Sequence, residues 1–305
     1  MRLRHPSGRI VHLSCELGTP PAEIPVNLPV IVSQLDTYGA VRARLGADAL
    51  GVSLWLPPSL AAALAVESRA RTRLRAELDA RGLEVVTLSG APFDEGGGGT
   101  PAWDQPARRE YTLDLARILL DLLDEDAVRG TVGTIGIGPR EGWAEAEEKA
   151  TLGILRRLSH GLADLAWQNG RAVGVGFQPA PGLVLDSPEQ TVAALSRIDK
   201  DRLGVCLDLG HVARTWPDPA AGIETVTDSG LAIVEVRLTA VAGSTTGAWR
   251  EGLGQLFGRQ GPLTENLTLV SQASSAEQIA GDVAYLLAEL AALGLAPENE
   301  PCPAR

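Results

Sequence analysis

The sequence is poor in cysteine, in aromatic residues and in long apolar runs. It holds three cysteines among 305 residues, and aromatic residues make up 4% of the chain. An odd and widely spaced set of cysteines predicts neither a disulfide framework nor a zinc knuckle, so we expect a protein of the reducing cytoplasm. No apolar run approaches the ~20 residues of a membrane helix, and the first residues lack the apolar core of a signal peptide. We therefore expect no membrane partner.

The chain also lacks a basic run. Its formal net charge is −11, and no stretch interleaves basic with aromatic residues, so we expect no nucleic-acid partner. Apolar residues make up 45% of the sequence, which is enough for a large core. These features predict a globular protein whose partner is a small molecule. The composition favours no particular oligomeric state.

Strand-like and helix-like patterns alternate along the chain. Strands are predicted over 10–16, 51–56, 83–89, 131–137, 172–178, 204–208, 231–239 and 266–272. Helices are predicted over about 35–45, 59–80, 111–123, 147–169, after Ser187, and over 220–228 and 275–293, with a loop over 17–33. Eight such units without an internal boundary predict a single (β/α)8 TIM barrel over residues 1–295, with a Pro-rich tail over 296–305. A Rossmann fold is disfavoured because no Gly-x-Gly-x-x-Gly follows the first strand.

Four consecutive glycines, Gly96 to Gly99, follow the third predicted strand. No Lys-Ser or Lys-Thr pair follows them, so they do not form a phosphate-binding loop. We interpret residues 93–102 as a flexible lid in preference to an insertion without a role.

The stretch 204–211 ends in Asp-x-x-His and is the centre of the predicted site. Strand alternation places Asp208 on the face opposite Val205 and Leu207, and His211 follows in the next helical turn. Taken alone, such an Asp more often caps the next helix. A barrel changes this balance, because the carboxyl ends of its strands meet at one face, where active sites lie. That face collects the polar residues Glu16, Ser89, Gln178, Asp208, His211, Arg237, Thr239 and Gln272.

Several motifs at these strand ends carry a family resemblance. They are His12-Leu13-Ser14, 87–93 (Thr-Leu-Ser-Gly-Ala-Pro-Phe), Trp103-Asp104, 109–112 (Arg-Glu-Tyr-Thr), 177–181 (Phe-Gln-Pro-Ala-Pro), 204–211 and 236–239 (Val-Arg-Leu-Thr). With them the chain resembles the xylose-isomerase-like TIM barrels, and among these the Ebo-cluster metabolite-traffic protein E family, relatives of sugar phosphate isomerases and epimerases. The resemblance implies a TIM barrel, isomerase or epimerase chemistry, and a divalent metal such as Mn, Mg or Zn.

The chain departs from the family pattern where a metal would bind. Gln178 stands at a position where the pattern has a glutamate, and Arg237 stands where it has a neutral glutamine. Divalent metals need several anionic oxygens. The Arg237 cation would repel such an ion by about 8 kcal/mol at roughly 4 Å and an effective dielectric of about 20. We therefore assign no metal ligand and expect no cofactor.

Three functional hypotheses follow, and the first is an isomerase-, epimerase- or lyase-like enzyme of specialised metabolism. In it, His211 and either Glu16 or Asp208 transfer protons. Arg237 pairs with Asp208 and holds a substrate oxygen. The substrate-binding residues in this hypothesis are His12, Trp55, Ser89, Gln178, Glu235 and Thr239.

The other two hypotheses keep the barrel and change its role. One is a non-catalytic protein that binds or carries a metabolite in the same pocket. The other is a metal-dependent sugar isomerase with ligands such as Glu235 or Glu265. An internal ion pair with Arg237 is the purely structural alternative for Glu235.

Overall fold

A closed sheet forms the centre of the molecule. The computed structural model describes residues 1–18, 26–90, 101–240, 248–258 and 260–298. The strands are β1 (Arg2–Arg4), β2 (Ile10–Glu16), β3 (Leu50–Trp55), β4 (Leu83–Gly90), β5 (Arg129–Ile135), β6 (Ala172–Gln178), β7 (Leu203–Asp208), β8 (Ile233–Ala240), β9 (Asn266–Ser271) and β10 (Ala296–Pro297). Strands β2 to β9 run parallel in sequence order, and β9 pairs with β2. This confirms the predicted (β/α)8 barrel.

Helices surround the barrel and connect its strands. They are α1 (Leu28–Leu45), α2 (Pro58–Val66), α3 (Ser68–Asp79), α4 (Pro106–Leu122), α5 (Glu145–Asn169), α6 (Pro188–Leu195), α7 (Leu209–Thr215), α8 (Pro219–Asp228), α9 (Ala248–Phe257) and α10 (Ala276–Ala292). Within the described residues, no helix is both long enough and apolar enough to cross a membrane.

One loop prediction and one helix prediction are wrong, each for a local reason. The predicted loop 17–33 contains the start of α1, because Asn27 caps that helix by accepting a hydrogen bond from the Val30 N–H at 3.1 Å. The predicted helix 59–80 is two helices, because Glu67 between them has an extended backbone. Helix α4 begins at Pro106, five residues before its predicted start. The predicted lid, 93–102, lies mostly outside the described residues, which omit 91–100.

Two short strands lie at the amino end of the barrel. Strand β1 pairs antiparallel with β2, and β10 pairs antiparallel with β1 through Leu3–Pro297 and Arg4–Ala296. Residues 296 and 297, assigned by sequence to the tail, therefore extend the sheet, and residues from 299 onward lie outside the described part.

The two faces of the barrel wall differ in chemistry. On β2, Val11 and Leu13 are fully buried toward the helices, while Ser14 and Glu16 alternate with them and face the axis. A hydrogen bond from Asn266 Nδ2 on β9 to Thr131 Oγ1 on β5, at 2.9 Å, crosses the interior. The axis is thus lined by hydroxyl, amide and carboxyl groups in place of the branched aliphatic side chains usual in such barrels.

Candidate active site

Charged side chains meet at the carboxyl ends of three strands. Glu16 is the last residue of β2, Asp208 is the last residue of β7, and Arg237 lies on β8 directly beside Asp208 in the strand register. Alternation and the parallel direction of the strands explain why residues so far apart in sequence reach one end of the axis.

Arg237 joins two glutamates, and we call Glu16, Glu235 and Arg237 the arginine cluster. Arg237 Nη2 donates a hydrogen bond to Glu16 Oε2 in a direct ion pair. Its Nη1 lies 3.9 Å from Glu235 Oε1. The side chains of Glu16 and Arg237 are each 11% exposed, whereas that of Glu235 is 1% exposed. Glu235 is therefore the deepest member and lies beneath the ion pair.

The Glu235 carboxyl group reaches across the barrel axis. Its Oε1 accepts a hydrogen bond from Thr268 Oγ1 at 2.7 Å, and its Oε2 lies 3.8 Å from Cys206 Sγ. A Cβ placed on Gly133 would lie only 2.6 Å from Glu235 Oε2. The absence of a side chain at Gly133 thus makes room for Glu235. The register between β7 and β8 shifts just before Glu235, which helps to turn this residue inward.

Burial and charge shift the pKa values within the arginine cluster. Burial raises the pKa of Glu235 above its ordinary value, although the Arg237 cation acts in the opposite direction. Burial lowers the pKa of Arg237, but attraction to Glu16 and Glu235 outweighs this effect and leaves the pKa above its ordinary value. Arg237 is therefore a permanent cation, and burial favours the neutral form of Glu235 more than it would be favoured in water.

Asp208 and His211 make contacts that differ from the expected ones. Asp208 Oδ1 accepts a hydrogen bond from the His211 N–H at 3.1 Å and caps α7. Among the described residues, the acids within 4.0 Å of Arg237 are Glu16 and Glu235, so the expected pairing of Arg237 with Asp208 is wrong. The reason is that the α7 N-terminus holds the Asp208 carboxylate, while Glu16 reaches Arg237 directly.

The His211 ring is buried beside the loop that follows β6. Its Nε2 lies 3.2 Å from Thr215 Oγ1 and 3.9 Å from Asp186 Oδ1. Burial lowers the pKa of His211 below its ordinary value, although Asp186 opposes this shift. The ring is therefore neutral at pH 7 and faces Asp186 and Thr215.

The remaining predicted residues divide between the two ends of the barrel. Trp55 and Ser89 are register partners at the ends of β3 and β4, Gln178 ends β6, and Thr239 lies near the end of β8. His12 lies in the first half of β2, beside Arg2 and Asn266, where burial lowers its pKa to about 4. The structure therefore does not bring His12 to the arginine cluster. Glu265, the alternative metal ligand, immediately precedes β9 at this same amino end and pairs with Arg9 at 3.0 Å.

Four contacting residues were not singled out from sequence. Thr268 and Cys206 could have been found, since alternation places both on the axis side of strands whose neighbours were already candidates. Gly133 could be recognised only from the position of Glu235 across the barrel. Asp186 lies in a loop with no motif, so no local signal connects it to His211.

A cavity of about 460 Å³ lies where the ends of β2 and β9 meet α1 and α10, and Glu16 is the member of the arginine cluster that lines it. Gln34, Tyr38 and Gln272 line it with polar groups. Its size lies within the range of small-molecule sites.

The donors at this end of the barrel do not fit a divalent metal. The described residues contain no group of three or more His, Cys, Asp or Glu side chains arranged to hold a metal ion. Glu16, which would be one of the anionic ligands, is instead paired with the Arg237 cation. A metal here would have to displace that cation or lie against it.

Sequence comparison assigns the fold to a known family. The family described as "Xylose isomerase-like TIM barrel" matches residues 40–243. The comparison with curated proteins found no match.

Solved structures share the fold at low sequence identity. The 3-keto-D-glucoside 4-epimerase YcjR from E. coli is 12% identical with a TM-score of 0.57, and the match covers 91% of this chain and 99% of that one. The D-psicose 3-epimerase from Clostridium cellulolyticum is also 12% identical, with a TM-score of 0.61 and coverage of 92% and 99%. A D-allulose 3-epimerase from Methylomonas sp. is 13% identical, with a TM-score of 0.56 and coverage of 93% and 92%. At these identities the likeness extends to the fold alone.

Proposed function

Because the chain belongs to the xylose isomerase-like TIM-barrel family, we propose that it is an isomerase- or epimerase-type enzyme acting on a small sugar-like metabolite. The observation that carries this proposal is the ion pair between Glu16 and Arg237 at the carboxyl end of the barrel. It supplies a base and a fixed cation at the face where TIM-barrel active sites lie. Of this ion pair, Glu16 also lines a cavity of about 460 Å³, which has the size for a monosaccharide.

The proposed chemistry is proton transfer next to a carbonyl group. Glu16 removes a proton from the carbon beside the carbonyl, and the electron pair moves to the carbonyl oxygen to form an enediolate. Arg237 stabilises that oxygen, because a guanidinium has five N–H donors and Glu16 and Glu235 do not occupy them all. Return of the proton to the neighbouring carbon, together with transfer of the adjacent hydroxyl proton to the enediolate oxygen, moves the carbonyl group and gives isomerisation. Donation to the original carbon from the opposite face gives epimerisation.

We assign the second proton carrier to Asp208, the register neighbour of Arg237. One of its oxygens caps α7, which fixes the carboxyl group in place. His211 is less suited to this role, because its ring is buried and faces Thr215 and Asp186. We assign it the part of orienting the α7 turn that carries Asp208.

In this proposal the enzyme needs no metal. The Arg237 cation performs the electrostatic part that a divalent ion performs elsewhere, since it polarises the substrate oxygen without changing its own protonation state. The lack of fit between the donors and a divalent ion supports this assignment.

Deuterium exchange tests the proposal. The purified protein is incubated in D2O with D-fructose, D-psicose or D-tagatose in the presence of a chelator, and proton NMR follows loss of the signal beside the carbonyl. We expect exchange by the unmodified protein and losses of about 100-fold or more for Glu16→Gln and Arg237→Gln. The matched control is Arg250→Gln, which breaks an ion pair with Glu289 on the outer surface and should leave exchange unchanged. Exchange that chelator abolishes would contradict the metal-free mechanism.

A carrier role is the second candidate, and one observation favours it. Glu16, the proposed base, already has a strong partner in Arg237, as expected for a site that binds without turnover. Saturable sugar binding without deuterium exchange would support the carrier.

A further inference from the structure

We propose that the protein has a second binding site, a pocket on the outer side of the barrel that holds the phosphate group of a small molecule. The pocket lies between one stripe of α5 and the turn 197–202 that precedes β7. We call it the basic pocket and define it by its charged and titratable side chains, Arg156, His160, Arg197, Asp199 and Arg202. The turn belongs to the amino end of the barrel, whereas the candidate active site lies at the carboxyl end. The inference therefore does not rest on the proposed function.

The first argument is the charge of the basic pocket. Three arginines and one histidine line a cavity of about 200 Å³ together with a single acid, Asp199. This excess of basic groups runs against the formal charge of the chain, which is −11. Asp164 and Asp201 lie within about one helical turn in sequence, but neither lines the pocket. An anion that enters the pocket therefore meets a net positive field.

The second argument is that the acid of the pocket already has partners. Asp199 Oδ2 accepts hydrogen bonds from Arg202 Nη1 at 2.8 Å and from Ser159 Oγ, and its Oδ1 accepts from the Asp201 N–H at 3.1 Å. Burial raises the pKa of Asp199, but the hydrogen bonds from Ser159 and Arg202 outweigh this effect and leave the pKa below its ordinary value. Asp199 therefore stays ionised and fixes Arg202 in place through one of the five N–H donors of its guanidinium.

The third argument is that the other two arginines of the pocket are available. Arg156 and Arg197 are exposed, and neither has a hydrogen bond, ion pair or ring contact with another residue in the described part of the chain. An anion can bind them without displacing an acid. Arg237 differs, because Glu16 holds it, and Arg108 differs because it is 1% exposed and donates to the Gly90 carbonyl at 3.1 Å.

The arrangement of the basic groups favours a phosphate group over a carboxylate. A carboxylate is planar and matches a single guanidinium, whereas the oxygens of a phosphate point in several directions and accept from several donors. The basic groups of the pocket come from two sides, two from α5 and two from the turn 197–202. Leu152, Leu155 and Ile198 add an apolar wall, which suits the short carbon chain of a phosphate ester.

A proton NMR titration tests the proposal, because the chain has four histidines and His160 lines the basic pocket. At fixed pH and ionic strength, inorganic phosphate should shift the ring signals of His160 saturably, with a dissociation constant in the millimolar range. The signals of His211, at the carboxyl end of the barrel, should stay in place. The variant His160→Gln assigns the signal by removing it.

Two further ligands define the chemical class. Acetate at matched ionic strength should bind about tenfold more weakly than inorganic phosphate, because it can use only one side of the pocket. Glycerol 3-phosphate should bind more tightly than inorganic phosphate if the natural ligand is a phosphate ester, and equally well if it is free phosphate. Acetate that binds as tightly as phosphate would contradict the assignment.

Variants of the two available arginines locate the bound phosphate. Arg197→Gln should weaken phosphate binding roughly tenfold, since it removes a charge-assisted contact, and Arg156→Gln combined with it should abolish the saturable shift. The matched control is Arg73→Gln, which makes the same charge change at an exposed position of α3 and should leave binding unchanged. The proposal is overturned if His160 does not respond to phosphate, if His211 responds in its place, or if the double variant binds like the unmodified protein. These measurements are independent of deuterium exchange at the candidate active site.

Discussion

The contact between Gly133 and Glu235 leads to a quantitative prediction. Gly133→Ala adds a methyl group whose carbon would lie 2.6 Å from Glu235 Oε2 and 3.8 Å from Cys206 Sγ. Atoms cannot remain at the first distance, so Glu235 or β5 must move. Overpacking of this kind costs about 1–3 kcal/mol. The backbone φ of Gly133 is not positive, so the cost comes from the side-chain contact and not from backbone strain.

A double-mutant cycle separates this contact from a general loss of stability. Glu235→Asp shortens the side chain by one methylene and weakens the hydrogen bond from Thr268, at a cost of about 1–3 kcal/mol. In the double variant, the shorter acid should leave room for the new methyl group. Its loss of stability should be smaller than the sum of the single losses by at least about 0.5–1 kcal/mol. The free energy of unfolding is measured by urea denaturation followed by tryptophan fluorescence.

Gly254 provides a control for the added methyl group. Gly254→Ala changes a glycine in α9 whose added methyl group would meet no described atom within 4 Å other than those of its own helix, and it should be neutral or slightly stabilising. Additive losses in the Gly133 and Glu235 cycle would refute the close approach of these two residues across the axis.

Three further predictions concern charge. Arg237→Gln should lower the free energy of unfolding by about 3–5 kcal/mol, because it leaves buried carboxylates without their cation, whereas Arg250→Gln should cause no measurable change. The pKa of His12 is lowered from 6.5 to about 4, so as the pH falls the unfolded chain binds this proton before the folded chain does. The free energy of unfolding should therefore decrease as the pH drops from 6.5 to about 4. His12→Gln should flatten the pH dependence of the urea midpoint over this range. Gln178→Glu combined with Arg237→Gln changes the charge at the carboxyl end by two units toward negative, so elemental analysis should show more bound Mn, Mg or Zn than in the unmodified protein.

Strand positions could be predicted closely from the sequence, because the alternation of apolar and polar residues and the turn-forming residues at strand ends are local signals. Strands β2 and β6 have the predicted bounds, and the other barrel strands differ from theirs by no more than two residues at either end. Helix boundaries were harder. The break at Glu67 interrupts a continuous helical pattern, and Asn27 gives a cap signal inside a Pro-rich stretch. Strand β1 and helix α9 received no prediction.

The residues of the candidate site could be predicted from the sequence better than the contacts between them. Alternation and the barrel's polarity are enough to bring Glu16, Asp208 and Arg237 to one end. The acid that pairs with Arg237 is decided by how far each side chain reaches across the closed sheet. That acid is Glu16, 221 residues away in sequence. His12 shows the complementary error, since it shares a strand face with Glu16 yet lies toward the opposite end.

The division between a polar axis and an apolar outer wall has a consequence for how this barrel can diverge. The branched side chains that hold the wall to its helices, such as Val11 and Leu13, alternate with residues such as Ser14 and Glu16 that face the axis. A substitution on the axis face therefore changes the polar contacts there without removing an apolar side chain from the contact between the wall and its helices. A lineage can exchange a metal ligand for an arginine, or one charge for its opposite, while keeping the framework that folds the chain. The apolar wall packs against the helices, and the polar axis carries the charged groups of the candidate site.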